Sequence, residues 1–250
     1  VNGIISKLND INDVATITDT LKNIGYSLFY SRHFTEAYEI FNIITHYLTV
    51  FKMSEMLNSS FLPSLSDMLM FKSIINFDSG DYIRARVNHS NIMQNLNTLS
   101  KEDIPFVYFI ESVLHIVDNE LVYAEKLFEH CIEEFNHIKS KMNHKVVFAN
   151  YEFAVMLHRF GYDEQAEKYM KTGYELAEKE GYMYYMGKKV VENGEVISSS
   201  GDRNCLTVQE YIDGVEEFDP LNVNLSNLMA KAEKEQILIL LHKKIHNYVI

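Results

Sequence analysis

Four alanines, Ala37, Ala85, Ala124 and Ala166, stand 48, 39 and 42 residues apart, each inside the same short pattern. A turn residue comes first, an aromatic or apolar residue follows two later, Ala three beyond that, and an apolar residue four after the Ala. The first copy reads Arg32, Phe34, Ala37 and Phe41, and the second Gly80, Tyr82, Ala85 and His89. The third reads Asn119, Leu121, Ala124 and Phe128, and the fourth Gly161, Asp163, Ala166 and Met170. Self-similarity at such a period is the mark of stacked supersecondary units. Its physical cause is close helix contact. The small residue lets two antiparallel helices approach, while the larger side chains on either side of it fill the space between pairs. Gly or Asn suits the turn because a helix commonly ends on a residue in the left-handed conformation; Arg32 is the irregular member.

Helix is also what the composition permits. Among 250 residues there are only 10 Gly and 3 Pro, with 47% hydrophobic residues, 16 Tyr and 15 Phe, so long stretches run without a breaker. "TDTLKN", "SLSDML" and "SKEDIP" each put Ser or Thr ahead of an acidic residue, as at a helix start, and Pro105 falls where a first turn tolerates it. After Gly173 the pattern weakens. Glu195–Cys205 reads as loop, "VQEYIDGVEEF" as a helix, and the last 24 residues as an amphipathic helix that either closes the stack or dimerises. The expected organisation is repeats over 1–194, then loop and capping or dimerisation helices over 195–250.

The 23 Lys and Arg against 35 Asp and Glu give a formal charge of −12, which repels a phosphate backbone and argues against direct nucleic-acid binding by this segment. Cys131 and Cys205 are far apart and outside any CxxC context, which fits a reducing, cytoplasmic compartment rather than a disulfide framework or zinc site. No apolar run is long enough to span a bilayer. Catalytic constellations are sparse. His242 and His246 share a helix face without a third ligand, His130 and His137 sit in an acidic helix, and Glu133 and Glu134 read as a solvated face. Neither a phosphate loop nor a nucleophile elbow is present, so no enzyme, cofactor or metal is expected. Asn58, Asn88 and Asn224 match the glycosylation acceptor pattern, which has meaning only in a secreted chain.

Through these four pairs, over about residues 15 to 180, the chain resembles the tetratricopeptide fold. The resemblance implies an all-α, right-handed α-solenoid of antiparallel helix pairs, closed by a C-terminal capping helix. It also implies a concave groove lined by the first helix of each pair. Carried over by position, that surface takes Lys22, Tyr26, Phe29 and Tyr30 from the first pair and Met70, Ile74, Phe77 and Asp78 from the second. The third pair brings Phe106, Phe109, Val113 and Ile116, and the fourth Tyr151, Val155, His158 and Arg159. Asn76, Asn150 and Arg159 are placed to bond the backbone or carboxylate of an extended peptide. Such residues are either an exposed apolar stripe, which a ligand, partner helix or the chain's own terminus must cover, or ordinary core.

The long repeats, low Pro content, Tyr- and Asn-rich composition and terminal helix are similar to the sensor domains of Gram-positive peptide-pheromone receptors, the Rgg, PlcR and NprR group, and more distantly to the Rap phosphatases. That likeness implies a DNA-binding helix-turn-helix ahead of Val1, a short peptide in the groove, and a homodimer. A phosphatase of the Rap type would need a further N-terminal helical bundle. The alternative, from another class, is a scaffold that docks a partner protein and senses no ligand.

Overall fold

The computed structural model describes residues 11–50, 64–138, 143–182, 188–190, 196–198 and 207–217. Four helix pairs follow one another: α1 Ile11–Tyr30 with α2 Phe34–Val50, α3 Leu65–Asp78 with α4 Tyr82–Gln94, α5 Pro105–Val117 with α6 Leu121–His137, and α7 Asn143–Arg159 with α8 Asp163–Glu180. A two-stranded ribbon, β1 Lys188–Val190 and β2 Val196–Ser198, and helix α9 Val208–Glu217 come after them. The chain divides into a unit of residues 1–212 and a smaller one of 213–250. The pairs and the ribbon belong to the first; of the second, the described residues are 213–217, the last part of α9.

The turn inside each pair has one construction. Arg32, Gly80, Asn119 and Gly161 have φ of 58°, 74°, 61° and 80°, the left-handed conformation in which a helix reverses. Each donates its N–H to the carbonyl three residues back, and the next residue donates to the carbonyl five back, as in His33 N to Leu28 O at 2.9 Å and Asp81 N to Asn76 O at 2.8 Å. The second helix begins two residues after the left-handed one, at Phe34, Tyr82, Leu121 and Asp163. Ala37, Ala85, Ala124 and Ala166 are buried at the crossings, with Phe41, Phe128 and Met170 buried one turn on. His89, which takes that place in the second pair, is half-buried.

Of the three Ser or Thr starts expected, one holds, since the cap position of α5 is Ile104, without a side-chain hydrogen bond, and not Ser100. Ser64 caps α3 through a reciprocal capping box with Asp67, and Pro105 is the first residue of α5. "TDTLKN" is a correction: Thr18 is buried within α1, which runs without interruption from Ile11. A Thr-Asp pair caps only where the preceding residue leaves the helix, and here the helix continues through it. The loop expected over Glu195–Cys205 is corrected in part, because Val196–Ser198 pairs antiparallel with Lys188–Val190. Val208–Glu217 of "VQEYIDGVEEF" is α9 as expected, while Phe218, the last amphipathic segment, His242 and His246 lie outside the described residues.

Successive pairs pack together, and the first helices α3, α5 and α7 also touch one another. More decisive is a contact across the series. The Phe29 ring on α1 stands 4.8 Å from that of Phe148 on α7, and 4.8 Å from that of Phe71 on α3; Phe106 on α5 is 6.3 Å from both Phe71 and Phe148. Four first helices therefore share one aromatic core, and the first pair meets the fourth directly. A strictly nearest-neighbour stack makes no such contact. Edge and offset ring arrangements of this kind add about 0.5–1.5 kcal/mol each beyond area burial.

Two glycines permit the closest helix approaches. A Cβ on Gly25 would lie 2.6 Å from Cε1 of Phe41, and one on Gly173 would lie 2.7 Å from the Tyr151 ring. Both rings are fully buried and cannot swing aside. Gly25→Ala gains about 1 kcal/mol of helix propensity, yet overpacking outweighs it. A net loss of about 1–2 kcal/mol is expected from urea denaturation, and an unchanged or raised midpoint contradicts the close crossing.

Candidate functional site

Where the ends of α1, α3 and α7 converge, an aromatic core gives way to charge. Arg32 lies just past the end of α1, Asp78 ends α3, and Arg159 ends α7, so two guanidiniums sit at helix C-termini, where the peptide dipoles favour positive charge. Arg32 is folded inward. Its side chain is only 5% exposed, with Nη2 2.8 Å from Asp78 Oδ1 and Nε 2.9 Å from Glu152 Oε1 on α7. The second contact is ionic, since the N–H is not aligned on the carboxylate as a hydrogen bond requires. Tyr211 of α9 donates its phenol hydrogen to the same Glu152 oxygen at 3.0 Å. Arg159 completes the set: Nη2 donates to Asp78 Oδ1 at 2.7 Å, and Nη1 to the main-chain oxygens of Asp78 at 2.9 Å and Phe77 at 3.3 Å.

Beside this cluster is a cleft lined by Ile74, Phe77, Asp78, Phe109, Glu152, Val155, Met156 and Arg159. Its free space is about 10 Å³, room for about one water molecule. The lining is apolar apart from the buried Glu152 carboxylate and the partly exposed Asp78 and Arg159. Burial holds the Glu152 carboxyl above the usual carboxylate range, with Arg32 pulling it back down and Asp78 pushing it further up. Desolvation thus exceeds what the ion pair returns, as is common for buried salt bridges.

A second buried polar cluster sits at the other end of the first helices. Lys145 donates to Asp103 at 2.7 Å, and Asp67 accepts from the Ser100 N–H at 3.0 Å. Burial, before Lys145 lowers it, keeps the Asp103 carboxyl raised. Burial also pushes up the Tyr26 phenol and the Cys131 thiol. Among the described residues no three His, Cys, Asp or Glu side chains come together as a metal centre, and no helix is long and apolar enough to cross a membrane. Asn88 is buried in α4 and unavailable to a glycan.

The residues expected on the inner surface are placed as follows. Phe29, Met70, Ile74, Asn76, Phe77, Phe106, Phe109, Val113, Asn150, Tyr151 and Val155 are buried, so the core environment holds for them in this structure. Tyr26 and Tyr30 are half-buried, Tyr26 against Phe41 and Phe71, Tyr30 against Phe148 and His144. Arg159 is at the surface. Ile74, Phe77, Phe109, Val155 and Arg159 meet at the cleft. Asn150 turns back to the Val146 carbonyl at 2.8 Å, and Arg159 binds the backbone and carboxylate of α3, the partners a peptide would have offered. Glu152, Arg32 and Tyr211 were not among the expected site residues. Two of them carry a signal in the sequence, Arg32 as an Arg at the turn position that favours Gly and Glu152 as a lone carboxylate inside the apolar run "VVFANYEFAVML"; Tyr211 carries none. Compared with family models, curated proteins and solved structures, the chain matches none.

Glu152 retains its proton to higher pH in the folded chain than in the unfolded one. Its contribution to stability is therefore full below the unfolded carboxylate pKa of about 4.3 and is lost as pH rises through the raised value. Glu152→Gln removes that titration. The stability of the wild type relative to this variant should fall in urea denaturation as pH rises from the unfolded carboxylate value through the raised one; a difference that is constant or grows contradicts the assignment.

Proposed function

We propose that this chain is a non-enzymatic helical-repeat domain, a right-handed, tightly wound stack of tetratricopeptide-like pairs that binds a short peptide or a segment of a partner protein. In this reading it is the ligand-sensing part of a cytoplasmic, dimeric transcriptional regulator. The observation that carries the binding reading is the cleft between α3, α5 and α7. It joins an apolar floor of Ile74, Phe77, Phe109, Val155 and Met156 to the charged Asp78 and Arg159, and six of its residues are ones that the resemblance to tetratricopeptide pairs assigns to the inner face.

The cleft holds about one water as it stands, so binding requires rim contacts to be exchanged. The surface pair Arg159–Asp78 is the exchangeable one. Both side chains are about a third exposed, and pairs of that kind contribute about 0–1 kcal/mol. A ligand carboxylate that takes Arg159 from Asp78 removes the surface tie between α3 and α7, leaving the end of α3 held by Arg32 alone. Apolar side chains then follow into the cleft.

One observation favours the scaffold reading. Ile83 and Val87 stand on successive turns of α4, and Val122 and Tyr123 at the start of α6, all well exposed, Ile83 at 81%. Exposed apolar groups on the second helices suit docking of a partner on the outer face.

The two are separated by titration calorimetry with a pool of apolar heptapeptides, either as free acids or C-terminally amidated. Phe109→Asp is unsuitable as a control because Phe109 is 1% exposed and its charge would unfold the core. Arg159→Gln is the variant of choice. The free-acid pool should bind the wild type, with about tenfold loss on amidation or in Arg159→Gln. Absence of heat with both pools, or equal binding by both and by the variant, sinks the cleft reading.

A further inference from the structure

Glu152 has two faces, one toward the cleft and one toward α9. Thr207 begins α9 with its own capping box: its N–H donates to Glu210 Oε2 at 2.9 Å, and the Glu210 N–H returns to Thr207 Oγ1 at 3.2 Å. The helix start is thus encoded locally, independent of the repeat pairs. One turn of helix puts Val208 and Tyr211 on a common face, and these are the buried residues of 207–212. Tyr211 enters a slot made by three residues of other elements. Its ring stands 4.6 Å from that of Tyr151 at 61°, an edge-on contact. The Arg32 guanidinium lies 5.2 Å from its ring centre, within cation–π range. Its hydroxyl reaches Glu152. Every part of a phenol is therefore read: the face by a cation, the edge by an aromatic ring, and the O–H by a buried carboxylate.

We propose that residues 207–212 are a removable strap and that the slot of Arg32, Tyr151 and Glu152 is a binding site for a tyrosine side chain, occupied here by Tyr211. An incoming segment that carries tyrosine takes the place of Tyr211 and lifts the strap. This deepens the binding function proposed above and rests on it for its consequence: Glu152 is shared by slot and cleft, so lifting the strap opens the back of the cleft. Phenylalanine is a poor replacement, because it leaves the Glu152 oxygen without the hydroxyl donor and costs selectivity at a buried polar group.

The slot is tested without reference to apolar peptides or to Arg159, so its failure and that of the cleft are distinguishable. Tyr211→Ala empties the slot. N-acetyl-tyrosinamide should then bind this variant in calorimetry or NMR titration, at least about tenfold more tightly than N-acetyl-phenylalaninamide. In the wild type, millimolar N-acetyl-tyrosinamide should speed amide hydrogen exchange in 208–212 while the amides of α7 remain protected. Tyr211→Phe, which keeps the ring, should by itself speed exchange of the same amides several-fold, and it serves if the alanine variant does not fold. Equal affinity for the two amides, no binding to the alanine variant, or unchanged exchange in the phenylalanine variant overturns the proposal.

Discussion

The buried guanidinium of Arg32 organises the junction of the first, second and fourth helix pairs. An arginine just past the end of α1, in a conformation that L side chains resist, is pulled inward between Asp78 of α3 and Glu152 of α7. Burying a cation unpaired is prohibitive, and burying it between two carboxylates is roughly neutral. The arrangement therefore adds little net stability while penalising every packing that separates the three helix ends. Arg159 reinforces it from the surface by holding the last carbonyls of α3. The aromatic core of Phe29, Phe71, Phe106 and Phe148 supplies the non-directional attraction, and the charged junction selects among the ways in which those rings could pack.

The repeat was legible because it is local. Turn residue, alanine and the apolar residue one turn on are fixed by the geometry of a single helix pair, and their spacing in the chain reports it directly. That Arg32, Gly80, Asn119 and Gly161 are all left-handed follows from the same local constraint. What the first helices face was not legible. Periodicity identifies an apolar face of a helix but not what that face meets, and here it meets the first helix of a pair far away in sequence, as Phe29 meets Phe148. Residues with the spacing of a groove therefore serve as core. The missed start of α1 has a different cause: a capping sequence acts only where the chain leaves the helix, and tertiary burial of Thr18 keeps it inside.

The site was partly legible for the same reason. Ile74, Phe77, Asp78, Phe109, Val155 and Arg159 line the cleft and are among the residues that the resemblance to tetratricopeptide pairs placed on the inner face. Glu152 and Tyr211 depend on contacts between elements distant in the chain; Glu152 carries only a weak sequence signal and Tyr211 none. Together they relate structure to the proposed function. The cleft is closed by interactions of unequal strength, a partly exposed pair at Arg159 that exchanges readily and a buried pair at Arg32 that does not. A ligand able to shift the helices would act first on the former, and α9 shields the latter through Tyr211. In the proposed function, a conformational response would run from Arg159 to the end of α3 and onward to α1 through Arg32.

Arg32 itself offers the most direct test. Glycine is the residue that its backbone conformation favours, so substitution by Gly removes about 1 kcal/mol of strain and, if the side chain were incidental, would stabilise the protein. Removing one partner of a buried ion pair instead costs about 3–5 kcal/mol. Chemical denaturation of Arg32→Gly should show a net loss of about 2 kcal/mol or more; a midpoint equal to or above that of the wild type would contradict the organising role of this side chain.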